Sequence, residues 1–150
     1  MSLIARFAKY AAAFEEAYKS DDWAALAPYF AEDAVYEIHG VPAPLGGRFE
    51  GRAAVLAYFK SVLDGFDRRF ESREIALVKG PREEGRSVWI RGKVTYVAAG
   101  APTLVFELDE TTTFDAQDRI SRLEDRYDDE TISALTEYLR TYGEKLGLGG

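Results

Sequence analysis

The second half of the chain carries the pattern that most restricts its fold. Four segments rich in β-branched and aromatic residues follow one another there, separated by short turns that contain Gly, Pro or Asp. Such spacing is typical of a meander of antiparallel strands. The predicted strands are 70–79, 87–99, 103–114 and 119–128, with a charged, solvated turn over 80–86 between the first two.

Helical patterns begin the chain. Apolar residues recur at steps of three and four over 3–19, which predicts an amphipathic helix. A polar Ser-Asp-Asp sequence then ends that helix and offers an N-cap for a short second helix. The second helix is expected to bury Trp23, Leu26 and Phe30.

The remaining elements complete the order of helices and strands. A strand is expected over 34–39, and a loop with two prolines and four glycines follows over 40–51. A third helix is predicted over 52–63. The last helix is predicted over 128–146, and it runs into a loose tail over about 143–150.

Helices first and long antiparallel strands afterwards indicate the α+β class. The 150 residues suit a single domain with a sizeable core, and no linker divides them. A curved sheet wrapped around the helices would form a half-barrel, with a cavity between the sheet and the helices.

Side-chain alternation marks two carboxyl groups on apolar strand faces. On the predicted strand over 103–114, the even positions hold Phe106, Leu108, Glu110 and Phe114, whereas the odd positions are mostly polar. On the last strand, Asp125 shares a face with apolar and aromatic side chains. A buried carboxyl without enough partners has a raised pKa and can act as an acid or a base near neutral pH.

Composition excludes several classes of function. With 26 acidic and 19 basic residues the net charge is −7, which disfavours nucleic acids and anionic membrane surfaces as partners. No apolar run approaches the roughly 20 residues of a membrane span, and the acidic pair Glu15–Glu16 is atypical of a signal peptide. Because cysteine is also absent, a cytoplasmic protein is expected.

The same composition limits the cofactors. Without cysteine, the chain has no thiolate catalysis and no Cys-based metal site. The single histidine, His39, excludes multi-His metal sites and is expected to be solvated or to cap the following loop. We therefore expect neither a metal ion nor an organic cofactor.

Three segments carry a family resemblance: YFAEDAVYE at 29–37, FEGRAAVLAYF at 49–59 and RISRLEDRYD at 119–128. They resemble the nuclear transport factor 2-like proteins, a superfamily that includes ketosteroid isomerases, SnoaL-like polyketide cyclases and limonene epoxide hydrolase. The resemblance covers about 4–138. It implies a cone-shaped half-barrel, in which three N-terminal helices pack on a highly curved, mostly antiparallel sheet and a C-terminal helix is added. It also implies a small apolar ligand inside the cone and a homodimer through the sheet.

The resemblance to ketosteroid isomerases places three functional positions. The first-helix oxyanion tyrosine falls at Phe14, and the general-base aspartate falls at Ile38, so both groups are replaced here. The second oxyanion acid, which its apolar site keeps protonated, falls at Glu110. Steroid-type isomerisation by that scheme is therefore not expected.

The resemblance to limonene epoxide hydrolase places four more positions. Tyr36 matches the tyrosine that holds the water, Arg91 matches the arginine, and Asp125 matches the last aspartate. Lys93 stands where the first aspartate would be, which breaks the acid–base pair. The SnoaL-like cyclases use one aspartate as the general base, and Asp125 is the candidate for that role.

These positions define the predicted site. The resemblance turns the strand face with Trp89, Arg91 and Lys93 inward, where Arg91 and Lys93 would pair with Glu110 and Asp125. Arg91 or Lys93 would stabilise a developing enolate or alkoxide. The candidate catalytic residues are Asp125, Glu110, Arg91 and Tyr36, and the candidate substrate-binding residues are Phe14, Ile38, Trp89, Lys93, Phe106 and Tyr127.

Three functions remain open on the sequence. The first is proton transfer on a small, mostly apolar molecule, as isomerisation, cyclisation, dehydration or water addition. The second is a non-catalytic ligand-binding module. The isoleucine at position 38 favours it, because the enzymes that the chain resembles have an aspartate or an asparagine there. The third is a dimerisation domain whose cone is filled by side chains such as Trp89 and Phe106. A purely structural ion pairing of the two carboxyls with Arg91 and Lys93 is an equally open interpretation.

Overall fold

Three α-helices and six strands make up the part of the chain that the structure describes. The computed structural model describes residues 1–41 and 45–148. The helices are α1 (Leu3–Ser20), α2 (Arg52–Gly65) and α3 (Asp129–Leu146), with 3₁₀ helices at Trp23–Tyr29 and Asp67–Arg69. The strands are β1 (Phe30–His39), β2 (Gly47–Glu50), β3 (Ser72–Glu84), β4 (Ser87–Val97), β5 (Leu104–Phe114) and β6 (Ile120–Arg126).

The strands form one curved, unclosed sheet in the order β2-β1-β6-β5-β4-β3. All neighbours are antiparallel except β1 and β6, which run parallel. The parallel pair places the first strand, β1, beside the last strand, β6, so the strands from both halves of the chain form one sheet. The predicted α+β class, with a curved and mostly antiparallel sheet under helices, is confirmed.

Local capping and an apolar stripe explain α1. The side chain of Ser2 accepts a hydrogen bond from the amide of Ala5 at 3.1 Å, which satisfies one free donor of the first turn. Leu3, Phe7 and Tyr10 are buried along one face. The helix ends at Asp21, which adopts the left-handed conformation with φ 58°.

The core divides into two groups of apolar side chains. One lies between α1, α2 and the β1–β6 end of the sheet, with Phe30, Leu26 and Val55 at its centre. The other lies between α3 and the far strands, and it includes Tyr96 and Leu135. Side chains from both groups line a single cavity between the helices and the concave face of the sheet.

Helix α3 covers the second of these groups. Asp128 caps its start by accepting from the amide of Thr131 at 2.7 Å. The helix continues to Leu146, further than the predicted start of a loose tail, and Gly147 ends it at φ 70°. The amide of Leu148 closes the last turn on the carbonyl of Gly143 at 2.8 Å. Residues 149–150 lie outside the described part.

Several boundaries differ from the sequence predictions. The second helix is 3₁₀, and Phe30 begins β1 instead of belonging to that helix. The predicted loop over 40–51 contains the short edge strand β2, while its residues 42–44 lie outside the described part. The predicted turn over 80–86 shrinks to Gly85–Arg86, because β3 continues to Glu84 by pairing with β4. Arg82 supports this pairing, with its guanidinium 4.4 Å from the ring centre of Trp89.

No helix within residues 1–41 and 45–148 combines the length and the hydropathy that a bilayer crossing requires.

Candidate functional site

A cavity of about 750 Å³ lies between the helices and the concave face of the sheet. That volume falls within the range of about 300 to 1,000 Å³ found for small-molecule sites. Its wall is mostly apolar, and the lining side chains include Phe7, Phe14, Phe59, Val94, Phe106 and Leu108. The cone is therefore not filled by its own side chains.

Strand register places two carboxyl groups side by side in this wall. Glu110 of β5 lies directly opposite Asp125 of β6 in an antiparallel pair, so both side chains leave the sheet on the same face. Both line the cavity. Asp125 is only 5% exposed. Alternation along the strands thus explains the carboxyl that interrupts the apolar face of β5.

The parallel pairing of β1 with β6 supplies a third group. It sets Ile38 opposite Asp125 and Tyr36 two residues earlier on the same face. The hydroxyl of Tyr36 donates a hydrogen bond to Oδ2 of Asp125. Among the residues that the structure describes, no N–H or hydroxyl group donates to Oδ1 of Asp125, although this atom is buried. Tyr36 therefore holds one oxygen of the carboxylate, and the neighbouring Glu110 carboxyl is its other hydrogen-bond partner.

Burial shifts the titration of both carboxyls. It raises the pKa of Asp125 to about 6, although hydrogen bonds with Tyr36 and Glu110 stabilise the charged form. Burial also raises the pKa of Glu110 well above its usual value, and the negative charge on Asp125 adds to the rise. Two carboxyls this close cannot both ionise freely, so they titrate as a pair. Asp125 is the carboxyl of the pair that ionises first, because its charge and its hydrogen bond both raise the pKa of Glu110.

Several aromatic groups surround the pair. Burial, followed by the charge of Asp125, raises the pKa of Tyr36 and of Tyr127 well above the usual value, so both phenols stay neutral. The ring of Phe106 lies 5.8 Å from that of Tyr127. Of the ten predicted site residues, these seven line the cavity: Phe14, Tyr36, Ile38, Phe106, Glu110, Asp125 and Tyr127.

The other three predicted residues lie on the opposite face of the sheet. Arg91 donates to Glu107 at 2.8 Å and to Asp109 at 3.1 Å, both on the outer face of β5. Lys93 is exposed. Trp89 stacks with Arg82 outside the cavity. The prediction that Arg91 and Lys93 pair with Glu110 and Asp125 is therefore wrong.

The pleat of β4 gives the physical reason for this correction. Ile90, Gly92, Val94 and Tyr96 turn toward the cavity, which buries apolar surface and leaves the charged positions in water. The family likeness assigned the inward face to the odd positions, one residue away from the true register. A shift of one residue exchanges the two faces of a strand.

A second polar group in the cavity wall was missed. Glu15, Asp67, Arg73 and Tyr96 line the cavity on α1, the second 3₁₀ helix, β3 and β4. Arg73 donates from Nε to Asp67 at 2.7 Å. No periodic pattern marks these residues, because each lies on a different element. Of the four, only Tyr96 could have been predicted to face the cavity, because it lies on the same apolar face of β4 as Val94.

The outer face carries a separate cluster around His39. Its Nε2 lies 3.6 Å from a carboxylate oxygen of Glu37 and 4.0 Å from one of Glu124. Within the described part of the chain, these three side chains have the spacing of metal ligands. Each carboxylate already has an arginine partner, since Arg122 bonds both and Arg48 bonds Glu37. Arginine thus balances this charge without a metal ion.

Helices over a curved open sheet, with a carboxyl-bearing cavity between them, define the nuclear transport factor 2-like fold. Solved structures agree with this assignment. A nuclear transport factor 2-like protein of unknown function from Burkholderia pseudomallei superimposes with a TM-score of 0.68 at 18% identity, over 92% of this chain and 98% of that chain. An LEH-like epoxide hydrolase from M. tuberculosis gives a TM-score of 0.60 at 17% identity, over 91% and 94%.

A third structure, TerC co-crystallized with polyporic acid, gives a TM-score of 0.63 at 17% identity, over 90% of this chain and 98% of that chain. The model of the SnoaL-like domain matches residues 11–123, so the chain belongs to the SnoaL-like family. Comparison with curated protein sequences gives no match.

Proposed function

We propose that the protein is an acid–base enzyme that moves a proton on a small, mostly apolar and uncharged molecule, without a metal or organic cofactor. The observation that carries this proposal is the Glu110–Asp125 pair, which lies opposed across two strands in the wall of an apolar cavity. Two carboxyls in one site can divide the acid and base roles when their pKa values differ.

Asp125 is the proposed base. Burial raises its pKa to about 6, so it is ionised at neutral pH yet basic enough to accept a proton. Its Oδ2 is fixed by Tyr36, whereas no N–H or hydroxyl group of the described residues donates to the buried Oδ1. Oδ1 is the atom that would take the substrate proton, once a substrate oxygen has taken over the hydrogen bond that Glu110 makes with Asp125. Tyr36 is a positioning residue, because it acts by orienting the carboxylate.

Glu110 is the proposed acid. Burial and the charge of Asp125 raise its pKa well above the usual value, so it is the carboxyl that keeps its proton longer and can donate a hydrogen bond or a proton. When Asp125 removes a proton next to a carbonyl, the C–H electron pair moves toward the carbonyl oxygen. Glu110 stabilises that oxygen by donating to it. Return of the proton from Asp125 to another carbon of the enolate completes an isomerisation. If the enolate carries a β-hydroxyl, that group takes the proton from Asp125 and leaves as water, which completes a dehydration, and water addition is the reverse sequence.

The charges in and around the cavity favour an uncharged substrate. Arg91 and Lys93 lie on the outer face of the sheet, so neither neutralises Asp125. The cation in the cavity wall, Arg73, already bonds the carboxylates of Asp67 and Glu15. An anionic substrate would enter a wall that is negative overall. The co-crystal of TerC with polyporic acid and the LEH-like epoxide hydrolase are consistent with small-molecule chemistry on this fold.

Hydrogen–deuterium exchange of an enolisable ketone tests this proposal. 2-Tetralone is small, apolar and uncharged, and NMR in D₂O measures the exchange of its α-protons. We expect the protein to accelerate exchange, and Asp125→Asn to lower the acceleration by about a hundredfold or more. Asp109→Asn is the matched control, because Asp109 lies on the outer face of β5 and bonds Arg91. The control should keep the full rate.

The same experiment separates the competing function. Saturable binding of 2-tetralone with no accelerated exchange, in the wild type as in Asp125→Asn, would identify a non-catalytic binding module. Equal acceleration by the wild type and by Asp125→Asn would reject Asp125 as the base.

A homodimer through the sheet is a second proposal. Its support is that Val97 and Val105, on the outer face of β4 and β5, are 37% and 46% exposed. Exposed apolar side chains that lie together on a protein surface often mark a site where another protein chain binds. Light scattering coupled to size exclusion tests it. Twice the chain mass in the wild type, and the single chain mass in Val105→Glu, is the expected result. A single chain mass for both would reject the proposal.

A further inference from the structure

A second polar cluster lines the same cavity and has no part in the proposed proton transfer. It consists of Glu15, Asp67, Arg73 and Tyr96, and we call it the Arg73 cluster. The Glu110–Asp125 pair belongs to β5 and β6, whereas Arg73 belongs to the edge strand β3. Along β4, Tyr96 lies six residues from Ile90, the partner of Glu110. The two polar groups therefore leave the sheet at different points along the strand, but both turn into the same cavity, and the phenol of Tyr127 lies within electrostatic reach of Asp125 and of Asp67.

The guanidinium of Arg73 is held in one orientation. Its Nε donates to Oδ2 of Asp67 at 2.7 Å, and its Nη1 donates to Glu15 at 3.0 Å. The hydroxyl of Tyr96 also donates to Oδ2 of Asp67, at 2.9 Å. The ring centre of Tyr18 lies 4.8 Å from the guanidinium carbon. A group fixed by this many contacts is already arranged for a ligand.

Burial of the charged groups in this cluster has a cost in desolvation free energy. The Arg73 side chain is only 7% exposed. An ion pair taken out of water gives little net stability, because desolvation offsets the attraction. Apolar replacements of buried ion pairs are often neutral for stability, so a ligand-binding role gives a reason for these charged groups in a mostly apolar cavity wall.

One donor of the cluster remains unused. The hydrogen bonds of Arg73 leave from Nε and Nη1, and within residues 1–41 and 45–148 no acceptor receives one from Nη2. Nη2 carries two N–H groups. An oxygen of a ligand in the cavity would complete the set. Since two carboxylates already oppose the one guanidinium, the cluster carries a formal charge of −1, and an uncharged oxygen suits it better than an anion.

We propose that the Arg73 cluster is a second binding subsite, which holds an uncharged hydroxyl or carbonyl oxygen of an elongated ligand. The proposal rests on the proposed function, because the reactive part of that ligand would lie at Glu110 and Asp125. It adds a substrate class: apolar, rod-like molecules with a neutral oxygen at each end. Molecules with a terminal carboxylate are disfavoured, because Glu15 and Asp67 repel the added negative charge.

Two probes that differ in one end group test the subsite by calorimetry. The first is 4,4′-biphenyldiol, and the second is 4′-hydroxybiphenyl-4-carboxylate. We expect the wild-type protein to bind the diol about tenfold or more tightly than the carboxylate. Arg73→Met should remove most of the advantage that the diol has over 4-phenylphenol, which lacks the second hydroxyl.

The sharper variant is Glu15→Gln, which keeps the shape and removes one negative charge. Since the Glu15 side chain is 45% exposed, the fold should tolerate the change. The carboxylate probe should gain about three- to tenfold in affinity, because the charge of the cluster rises from −1 to zero. Glu16→Gln is the matched control. Its side chain is 76% exposed and pairs with Lys19 away from the cavity, so neither probe should change.

The outcomes separate this subsite from the catalytic proposal. An unchanged probe preference in Glu15→Gln, or an equal gain in Glu16→Gln, would overturn the subsite. If Asp125→Asn still abolishes ketone exchange in that case, the proposed function survives alone. If the preference shifts as expected but no exchange occurs in the wild type, the subsite stands and the acid–base function fails.

Discussion

Asp125→Asn should change how stability depends on pH, because it removes a buried carboxyl with a raised pKa. Asn has nearly the same shape and can still accept the hydrogen bond from Tyr36. The substitution therefore removes the ionisation while it preserves most of the packing. The variant loses the proposed base and, at neutral pH, relieves the cost of a charge in the apolar wall.

The size of the effect follows from the pKa shift. The pKa of Asp125 is about 6 in the folded protein, against an ordinary value of 3.8. Each unit corresponds to about 1.4 kcal/mol, so the two states differ by about 3 kcal/mol. Between these pKa values the folded state keeps a proton that the unfolded state has lost. The contribution of Asp125 to stability is therefore fully present below about pH 4 and is lost as pH rises through about 6.

Urea unfolding of the wild type and the variant measures this directly. Other carboxyls also titrate, but their effects are common to both proteins except for Glu110, whose pKa Asp125 raises. The difference in unfolding free energy therefore reports the Glu110–Asp125 pair. Relative to the wild type, the variant should gain about 3 kcal/mol between about pH 4 and about pH 7.5. Asp109→Asn, on the outer face, should show no such gain. A difference that stays constant with pH, or that falls, would refute the account of a buried carboxylate with a raised pKa.

Three further predictions concern the site. Tyr36→Phe removes the bond that stabilises the Asp125 carboxylate, so the rising limb of the pH profile for ketone exchange should move up by about one unit; an unmoved profile would contradict it. Arg91→Met should leave exchange unchanged, because Arg91 bonds Glu107 and Asp109 outside the cavity, and a tenfold loss would contradict that placement. Leu108→Trp should abolish saturable binding of 2-tetralone by filling the cavity, and unchanged calorimetry would refute this.

Local alternation was enough to predict the carboxyl pair. The strand period of two is fixed by backbone geometry, and β5 and β6 each have one face that is clearly more apolar than the other. Glu110 and Asp125 therefore had to project toward the core side. Their direct contact followed from the hairpin-like succession of the two strands.

On β4 the family likeness was followed against local alternation. The even positions Val88, Ile90, Val94 and Tyr96 are apolar, and the structure turns this face inward. The likeness chose the opposite face, but Arg91 bonds Glu107 and Asp109 on the outside of the sheet.

The Arg73 cluster could not be predicted from local sequence at all. Arg73 lies six residues from Asp67 but 58 residues from Glu15, and the three meet only after α1, the second 3₁₀ helix and β3 close around the cavity. The edge strand β2 was missed for a related reason. It has only four residues, and its evidence is pairing with β1 between Val35↔Glu50 and Ile38↔Gly47.

The central claim is that Glu110 and Asp125 share one proton at neutral pH. Carbon-13 NMR of the side-chain carboxyls, recorded as a pH titration, tests it most directly. The account predicts that Asp125 titrates near pH 6 and that Glu110 stays protonated above that point. In Glu110→Gln, the remaining titration should belong to Asp125, while the outer-face control Glu107→Gln should leave both signals unchanged. Ordinary titration of both carboxyls near pH 4 would contradict the claim.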